Sequence, residues 1–315
     1  MAMVNTDAVI REAEYYGAMI EVLQQNNAGF NEASNGAIRL VNQQEQGHFY
    51  KESFIKQNVH IGRRVTTDIA AKAATILTMG DRVSAKLARS YMADTTRDTW
   101  RKLARDISGF SVALGQQVGV EKSLNYLNTV ILSGVSAMSS QALILHDAGT
   151  APMDYNVLSD GMAKFGDRRN RIVAWVMHST PHNQVIRASL ASGLDNVAGV
   201  TINRGSAATL GLPVVVTDSP ALVDGAQFIT LGLTEAAFSV LETEGDDMVT
   251  DVVTGQGNLI NRIQGEHSFN CDIKGYSWLE ASGANPDDAA LGVSTNYAQV
   301  VTDHKSLPGV IIKTT

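Results

Sequence analysis

Between Ile107 and Met138 the large apolar residues Ile107, Phe110, Leu114, Val118, Leu124, Leu127, Ile131, Val135 and Met138 recur at helical spacing over 32 residues. An unbroken helix of that length is a rod of roughly 48 Å, so the rest of the fold must be built along it. Gly109, Gly115, Gly119 and Gly134 lie inside the stretch. Each costs on the order of 1 kcal/mol relative to alanine in a helix interior, and a break near Gly119 is the competing reading. The sustained stripe predicts a structural spine with Leu127 among its apolar contacts, provided that neighbouring structure supports the rod.

The segments before the spine are of another kind. From Thr6 to Gln25, Val9, Ala13, Tyr16, Ile20 and Leu23 alternate in steps of four and three, which predicts an amphipathic helix capped by Thr6 or Asp7. Residues 26–46 mix Asn, Gln, Gly and Ser with few large apolar side chains and read as an extended arm. Residues 47–65 alternate around Phe54, Val59 and Ile61, with His, Lys and Arg interspersed, the pattern of a strand pair or long β-loop. Such a loop has no clear core side and is marginal by itself in water. In 81–92, Val83, Ala85, Leu87 and Tyr91 share one face, and Asp94, Thr95 and Thr96 read as the cap of a short helix through Leu103.

Beyond the spine, helix and strand patterns alternate. Short helices are expected at 157–165 and 182–191, strands at 172–177, 212–217, 227–231, 248–253 and 266–278, and a last helix opening at Pro286 to Asp288. The class is α+β or α/β.

Composition narrows the function. Hydrophobic residues make up 44% and charged residues 18% of 315, a chain able to bury a core and unlike a disordered one. No apolar run approaches the roughly 20 residues that span a bilayer, so no membrane role is expected. The N-terminus lacks a basic region and reads as neither secretory signal nor transit peptide. Cys271 is the sole cysteine, which excludes an internal disulfide and fits a reducing compartment. A formal net charge of −7 argues against a protein that grips nucleic acid by bulk charge.

Motifs of chemistry are sparse. His178 and His182 have the i, i+4 spacing of a zinc pair, but Pro181 falls between them and no acidic base accompanies them. His267 and Cys271 make only two ligands. Gly255 to Asn258 lacks the lysine of a phosphate loop and reads as a hairpin turn, and no G-x-S-x-G elbow occurs. Gly166 to Asn170 is the densest charged turn, suited to an anion, a partner or a surface ion pair. No catalytic, cofactor-binding or metal-binding set emerges, and the chain is not expected to be an enzyme.

Taken in order, the pieces resemble the major capsid protein of tailed bacteriophages. The more specific likeness lies in Leu158-Ser159-Asp160-Gly161-Met162, then Lys164-Phe165-Gly166-Asp167, the strand Ile172 to Met177 with His178-Ser179, and Leu210 to Asp218. Asn285 to Leu291, Thr295-Asn296-Tyr297 and Asp303-His304-Lys305 are similar to the C-terminal segment of one branch. Departures are the absence of proline before Pro152 and Tyr297 where tryptophan is commoner. The chain starts directly with the arm, which implies a separate scaffolding protein or a precursor cleaved ahead of Met1.

The resemblance implies an α+β capsid fold. Its parts would be an N-terminal helix and arm (1–46), an extended E-loop region (47–80), peripheral (P) domain strand and spine helix (81–150), a mixed-sheet axial (A) domain (151–245), and returning P-domain strands with the C-terminal segment (246–315). It implies a structural protein forming hexameric and pentameric capsomers of an icosahedral shell around double-stranded DNA, without sequence-specific binding. A scaffolding protein and a portal at one vertex would be partners. Assembly would occur in the host cytoplasm, and the final location would be the virion capsid. Phe49, Tyr50, Phe54, Ile55, Arg63, Arg64, Asp167, Arg168 and Arg169 are the expected inter-subunit contacts. Lys51 and Lys56 show no asparagine partner for a covalent cross-link. Two alternatives stay open: an encapsulin-like nanocompartment, and a cytosolic α/β enzyme binding an anionic ligand through Arg168, Arg169 and His178.

Overall fold

The expected spine is one unbroken helix. The computed structural model describes residues 12–42, 47–55, 66, 79–96, 98, 107–192, 194–197, 200–203 and 209–315. In chain order α1 (Glu12–Ala33), β1 (Ile38–Asn42), β2 (Phe49–Ile55) and β3 (Met79–Thr96) lead to the spine, α2 (Ile107–Ser139). No break occurs at Gly119. Its glycines are contact points: a Cβ on Gly115 would collide with the Tyr15 carbonyl of α1, and one on Gly119 would stand 3.1 Å from the Met19 carbonyl. The propensity cost is offset by a helix crossing close enough to bury backbone against backbone.

The most deeply buried face is shifted from the expected one in the first half of α2, although Phe110, Leu114 and Val118 pack on the smaller core and Leu127 on the main one. Ser111, Gly115, Gly119, Lys122 and Tyr126 face inward, while Leu124 is 48% exposed and Leu127 half-buried. In the second half Ile131 and Met138 are buried as expected. The same shift affects α1, whose buried residues are Tyr15, Ala18, Met19 and Leu23, with Ile20 47% exposed.

Helix α1 also runs eight residues into the segment read as an arm. Phe30 packs on the main core, and two polar residues acquire a task at the edge of β1. Asn31 accepts a hydrogen bond from the Leu40 amide at 3.0 Å and donates one to its carbonyl at 3.4 Å. Ser34 Oγ does the same for Ile38. Strand β1 lies at the end of a five-stranded sheet, and Asn31 of α1 and Ser34 just after it therefore fill hydrogen-bonding positions that an edge strand leaves open.

After α2 come β4 (Leu145–Asp147), α3 (Tyr155–Ala163), a 3₁₀ turn (Gly166–Arg171), β5 (Ile172–Met177) and α4 (Ser179–Ser192). A hairpin of β6 (Leu194–Val197) and β7 (Val200–Asn203) precedes β8 (Val214–Val216), β9 (Val223–Asp224) and β10 (Gln227–Thr234). The long strands β11 (Phe238–Val253) and β12 (Ile260–Ile273) are followed by β13 (Tyr276–Trp278), α5 (Asp288–Leu291), β14 (Tyr297–Gln299) and β15 (Gly309–Thr314). The first sheet has the order β1-β11-β12-β3-β2 and the second β4-β15-β10-β5-β8. Gly255, at φ +89°, sits in the turn joining β11 to β12, the hairpin turn its sequence suggests.

Strand β3 continues through Asp94, Thr95 and Thr96, which pair with Arg262, Asn261 and Ile260. Asp94 spends its carboxylate on a bidentate contact with Arg262 and does not serve as the cap, while residue 98 is helical, as expected. Residues 97 and 99–103 of the expected helix lie outside the described residues. The last helix starts where expected, with the Asp287 side chain accepting from the Ala290 amide at 2.7 Å. Tyr297 stacks edge-on to Trp278 at 5.2 Å and donates to the Leu291 carbonyl, which fixes the C-terminal segment. One core, including Ile131, Met138, Trp175, Phe238, Phe269 and Ile311, joins both sheets to the second half of α2. A smaller cluster of Tyr15, Met19, Leu23, Met248 and Ile263 sits between α1 and the far part of the long hairpin. No helix among the described residues is long and apolar enough to cross a membrane.

Candidate functional site

Where the spine, α1 and the first sheet converge, polar side chains from five elements meet in the interior. The register of β11 against β12 slips between Glu242 and Glu244 and again before Asp247, a bulge that turns Asp246 inward. Asp246 accepts hydrogen bonds from Tyr91 of β3 at 2.6 Å and from Tyr15 of α1 at 3.2 Å. The Tyr15 hydroxyl, with its single proton, also lies within hydrogen-bond reach of the Tyr91 oxygen. Lys122 of α2 lies 3.0 Å from Glu242 and 3.9 Å from Asp246, with its side chain almost wholly buried. Tyr126, one turn further along α2, donates to the same Glu242 oxygen at 3.1 Å. Burial raises the Tyr15, Tyr91 and Tyr126 phenols well above the ordinary range, so all three act as neutral donors. The arrangement ties α1, α2, β3 and β11 together by side chains remote in sequence.

His267 of β12 stands beside this group, its Nδ1 3.9 Å from Asp246 and neither ring nitrogen hydrogen-bonded. Burial, reinforced by the Lys122 and Arg89 charges, pushes its pKa down from 6.5 to about 4. On the other face of β12, burial raises Asp272 from 3.8 to about 6 even though Arg82 lies 3.0 Å away and pulls the other way. The two effects oppose each other. As pH falls below 6.5 the unfolded chain protonates His267 while the folded chain resists until about 4, which removes roughly 3 kcal/mol of stability. Folded Asp272 takes its proton from about pH 6, before the unfolded chain does, and returns a similar amount. In urea titrations at pH 7 and 4.5, His267→Gln is expected to gain stability on acidification relative to wild type, and Asp272→Asn to lose it. Parallel pH dependence in all three proteins would exclude this balance.

The expected contacts fall into three groups. Phe49 and Tyr50 are half-buried on β2, opposite Ala85 and Ser84 of β3, and Phe49 packs against the subunit's own core. Part of the segment expected to make inter-subunit contacts thus belongs to the fold. Phe54 and Ile55 end β2 opposite Gly80 and Met79, and Arg63 and Arg64 lie outside the described residues, as do Val59 and Ile61. Asp167, Arg168 and Arg169 are exposed on the 3₁₀ turn before β5. Asp167 pairs with Lys305, and Arg168 reaches Asp303 at 3.0 Å. The Lys305 charge holds the Asp167 carboxyl below its usual range.

The residues weighed for other chemistry are otherwise occupied. His178 accepts from the Thr180 amide, lies 3.5 Å from Asp218 and packs on Phe228 at 5.1 Å. Cys271 is a free thiol whose pKa burial raises, unfavourable for a reactive thiolate. Among the described residues no three His, Cys, Asp or Glu side chains converge as a metal site. Lys51 is paired with Glu280.

A long helix is laid across a long-stranded sheet and joined by one core to a second mixed sheet. The chain is similar to a chain of Microbacterium phage Oxtober96 (TM-score 0.53, 9% identity, 90% of this chain and 91% of that one). It is similar to one of Mycobacterium phage Cain (0.54, 11%, 90% and 90%) and to the capsid of a native GTA particle (0.54, 14%, 76% and 86%). At such identities the likeness establishes the fold. No curated protein sequence matches the chain. Residues 7–311 match the family model of the Gp13-like major capsid proteins, described as major capsid protein 13-like. The chain belongs to that family: it is a major capsid protein, a structural component of the virion capsid and not a member of an enzyme class.

Proposed function

We propose that this capsid protein assembles in the host cytoplasm into hexamers and pentamers of an icosahedral shell that encloses double-stranded DNA. A scaffolding protein would guide assembly, and a portal would occupy one vertex. Family membership over nearly the whole chain carries this reading, and two physical features support it. The polar cluster around Lys122, Glu242 and Asp246 joins elements of the fold remote in sequence. The net charge of −7 suits a container, since DNA pumped in and later released should not adhere strongly to its wall.

The expressed chain is expected to sediment as capsomers or megadalton shells and to show closed particles by electron microscopy. Particles should survive nuclease and loss of their DNA. A chain that stays monomeric overturns the shell reading. A steep salt slope of DNA binding with assembly only on nucleic acid overturns the container reading, and closed particles carrying a cargo enzyme in place of DNA would mark a nanocompartment.

A further inference from the structure

The outer face of the far part of the β11–β12 hairpin is uncovered and acidic. Beyond the bulge, Asp247, Val249 and Asp251 stand opposite Glu266, Gln264 and Arg262. Strand β3 adds Met92 opposite Gln264 and Asp94 opposite Arg262. The alternate positions Met248 and Ile263 point the other way, into the cluster under α1. A shallow cleft of about 490 Å³ lies on this face. Val249 and Met92 are 63% and 60% exposed there. Arg262, the cation of the cleft lining, is already held by Asp94 through two bonds of 2.7 Å. Among the described residues Asp247, Asp251 and Glu266 have no cationic partner.

The complementary group sits on the 3₁₀ turn before β5. Arg168 and Asp167 tie the turn to Asp303 and Lys305, while Arg169 and Arg171 are exposed and carry no ion pair among the described residues. The turn is thus a fastened platform presenting two unsatisfied guanidiniums, the side chain best suited to bind carboxylates in pairs.

We propose that the acidic outer face of the β11–β12 hairpin is a subunit–subunit docking surface, filled by the Arg169 and Arg171 turn of a second copy of this chain. This rests on the shell reading above. Charge complementarity selects the occupant: subunits of charge −7 repel one another unless cations are concentrated where copies touch. Two unlike patches on one chain also make a head-to-tail contact, the kind that closes rings. Val249 and Met92 supply an apolar centre within a charged rim, the usual anatomy of an interface.

Three variants test the docking: Arg169→Glu with Arg171→Glu, Asp247→Lys with Asp251→Lys, and all four together. Each is first checked for a wild-type melting curve, which these exposed positions should allow. By sedimentation and electron microscopy, either two-site variant is expected to lose at least tenfold in particle yield, and the four-site variant to recover most of it. Normal particles from either two-site variant overturn the proposal, as does a folded four-site variant that stays unassembled. Particles of normal yield and size that fail to retain DNA when Arg169 and Arg171 are reversed would make the turn a nucleic-acid contact and overturn the docking. Wild-type chain that forms no assembly at all overturns the shell reading with it, whereas normal wild-type particles alongside insensitive variants overturn the docking alone.

Discussion

Lys122→Met is expected to cost the folded subunit about 3–5 kcal/mol, the usual result of removing one member of a buried ion pair. The ammonium is the cation that reaches both Glu242 and Asp246, and methionine fills its space with no charge. Glu242 would keep only the Tyr126 phenol, and Asp246 only the two phenols of Tyr15 and Tyr91. The loss should appear as a lower urea midpoint for the isolated subunit with an unchanged slope. Adding Glu242→Gln and Asp246→Asn removes the uncompensated carboxylates and should restore much of the stability, because replacing all members of a buried charge cluster costs far less than orphaning some. A Lys122→Met protein as stable as wild type would show that the cluster is solvated in solution.

Gly134→Val should be comparably damaging for a steric reason. A Cβ at Gly134 would collide with the Phe238 ring, and Phe238 is fully buried at the start of β11, where the core joins the spine to both sheets. Neither group can retreat without opening the core, so the cost is expected at the top of the overpacking range, about 3 kcal/mol or more. Phe238→Leu alone should also destabilise by leaving a void. The double variant should be more stable than the sum of the two losses predicts, since the smaller side chain vacates the space the valine needs. Strict additivity in a denaturant double-mutant cycle would show that the ring and the glycine do not meet.

The pattern of legibility follows from the range of the interactions. The extent of α2, the strand Ile172 to Met177, the hairpin turn at Gly255 and the Asp287 cap depend on neighbours a few residues away, and the sequence displays them. The most deeply buried positions of α2 are not legible, because apolar size is a poor guide where helices touch backbone to backbone: Gly115 and Gly119 are inside while Leu124 is partly outside. The full length of β11 is not legible beyond the strand expected at 248–253, because the bulge breaks the alternation of apolar and polar residues ahead of it. The Lys122 cluster joins residues 15, 91, 122, 126, 242 and 246, so no local pattern announces it. Its one sequence trace is Lys122, the single basic residue of the spine helix. The residues 26–33 read as arm gain their helix from contacts with the core at Phe30 and with β1 at Asn31, information that composition does not carry.

The sealed rim of β1 bears on how such a protein escapes fibre formation. Shell subunits accumulate to high concentration, and a bare strand rim would let them join backbone to backbone in open, self-propagating ribbons. Main-chain pairing of that kind is hard to undo. With Asn31 and Ser34 occupying the rim from within the same chain, encounters at that end must be decided by side-chain surfaces. Such contacts are individually weak, specific in angle and quick to dissociate, so a misplaced subunit can leave before the next one traps it.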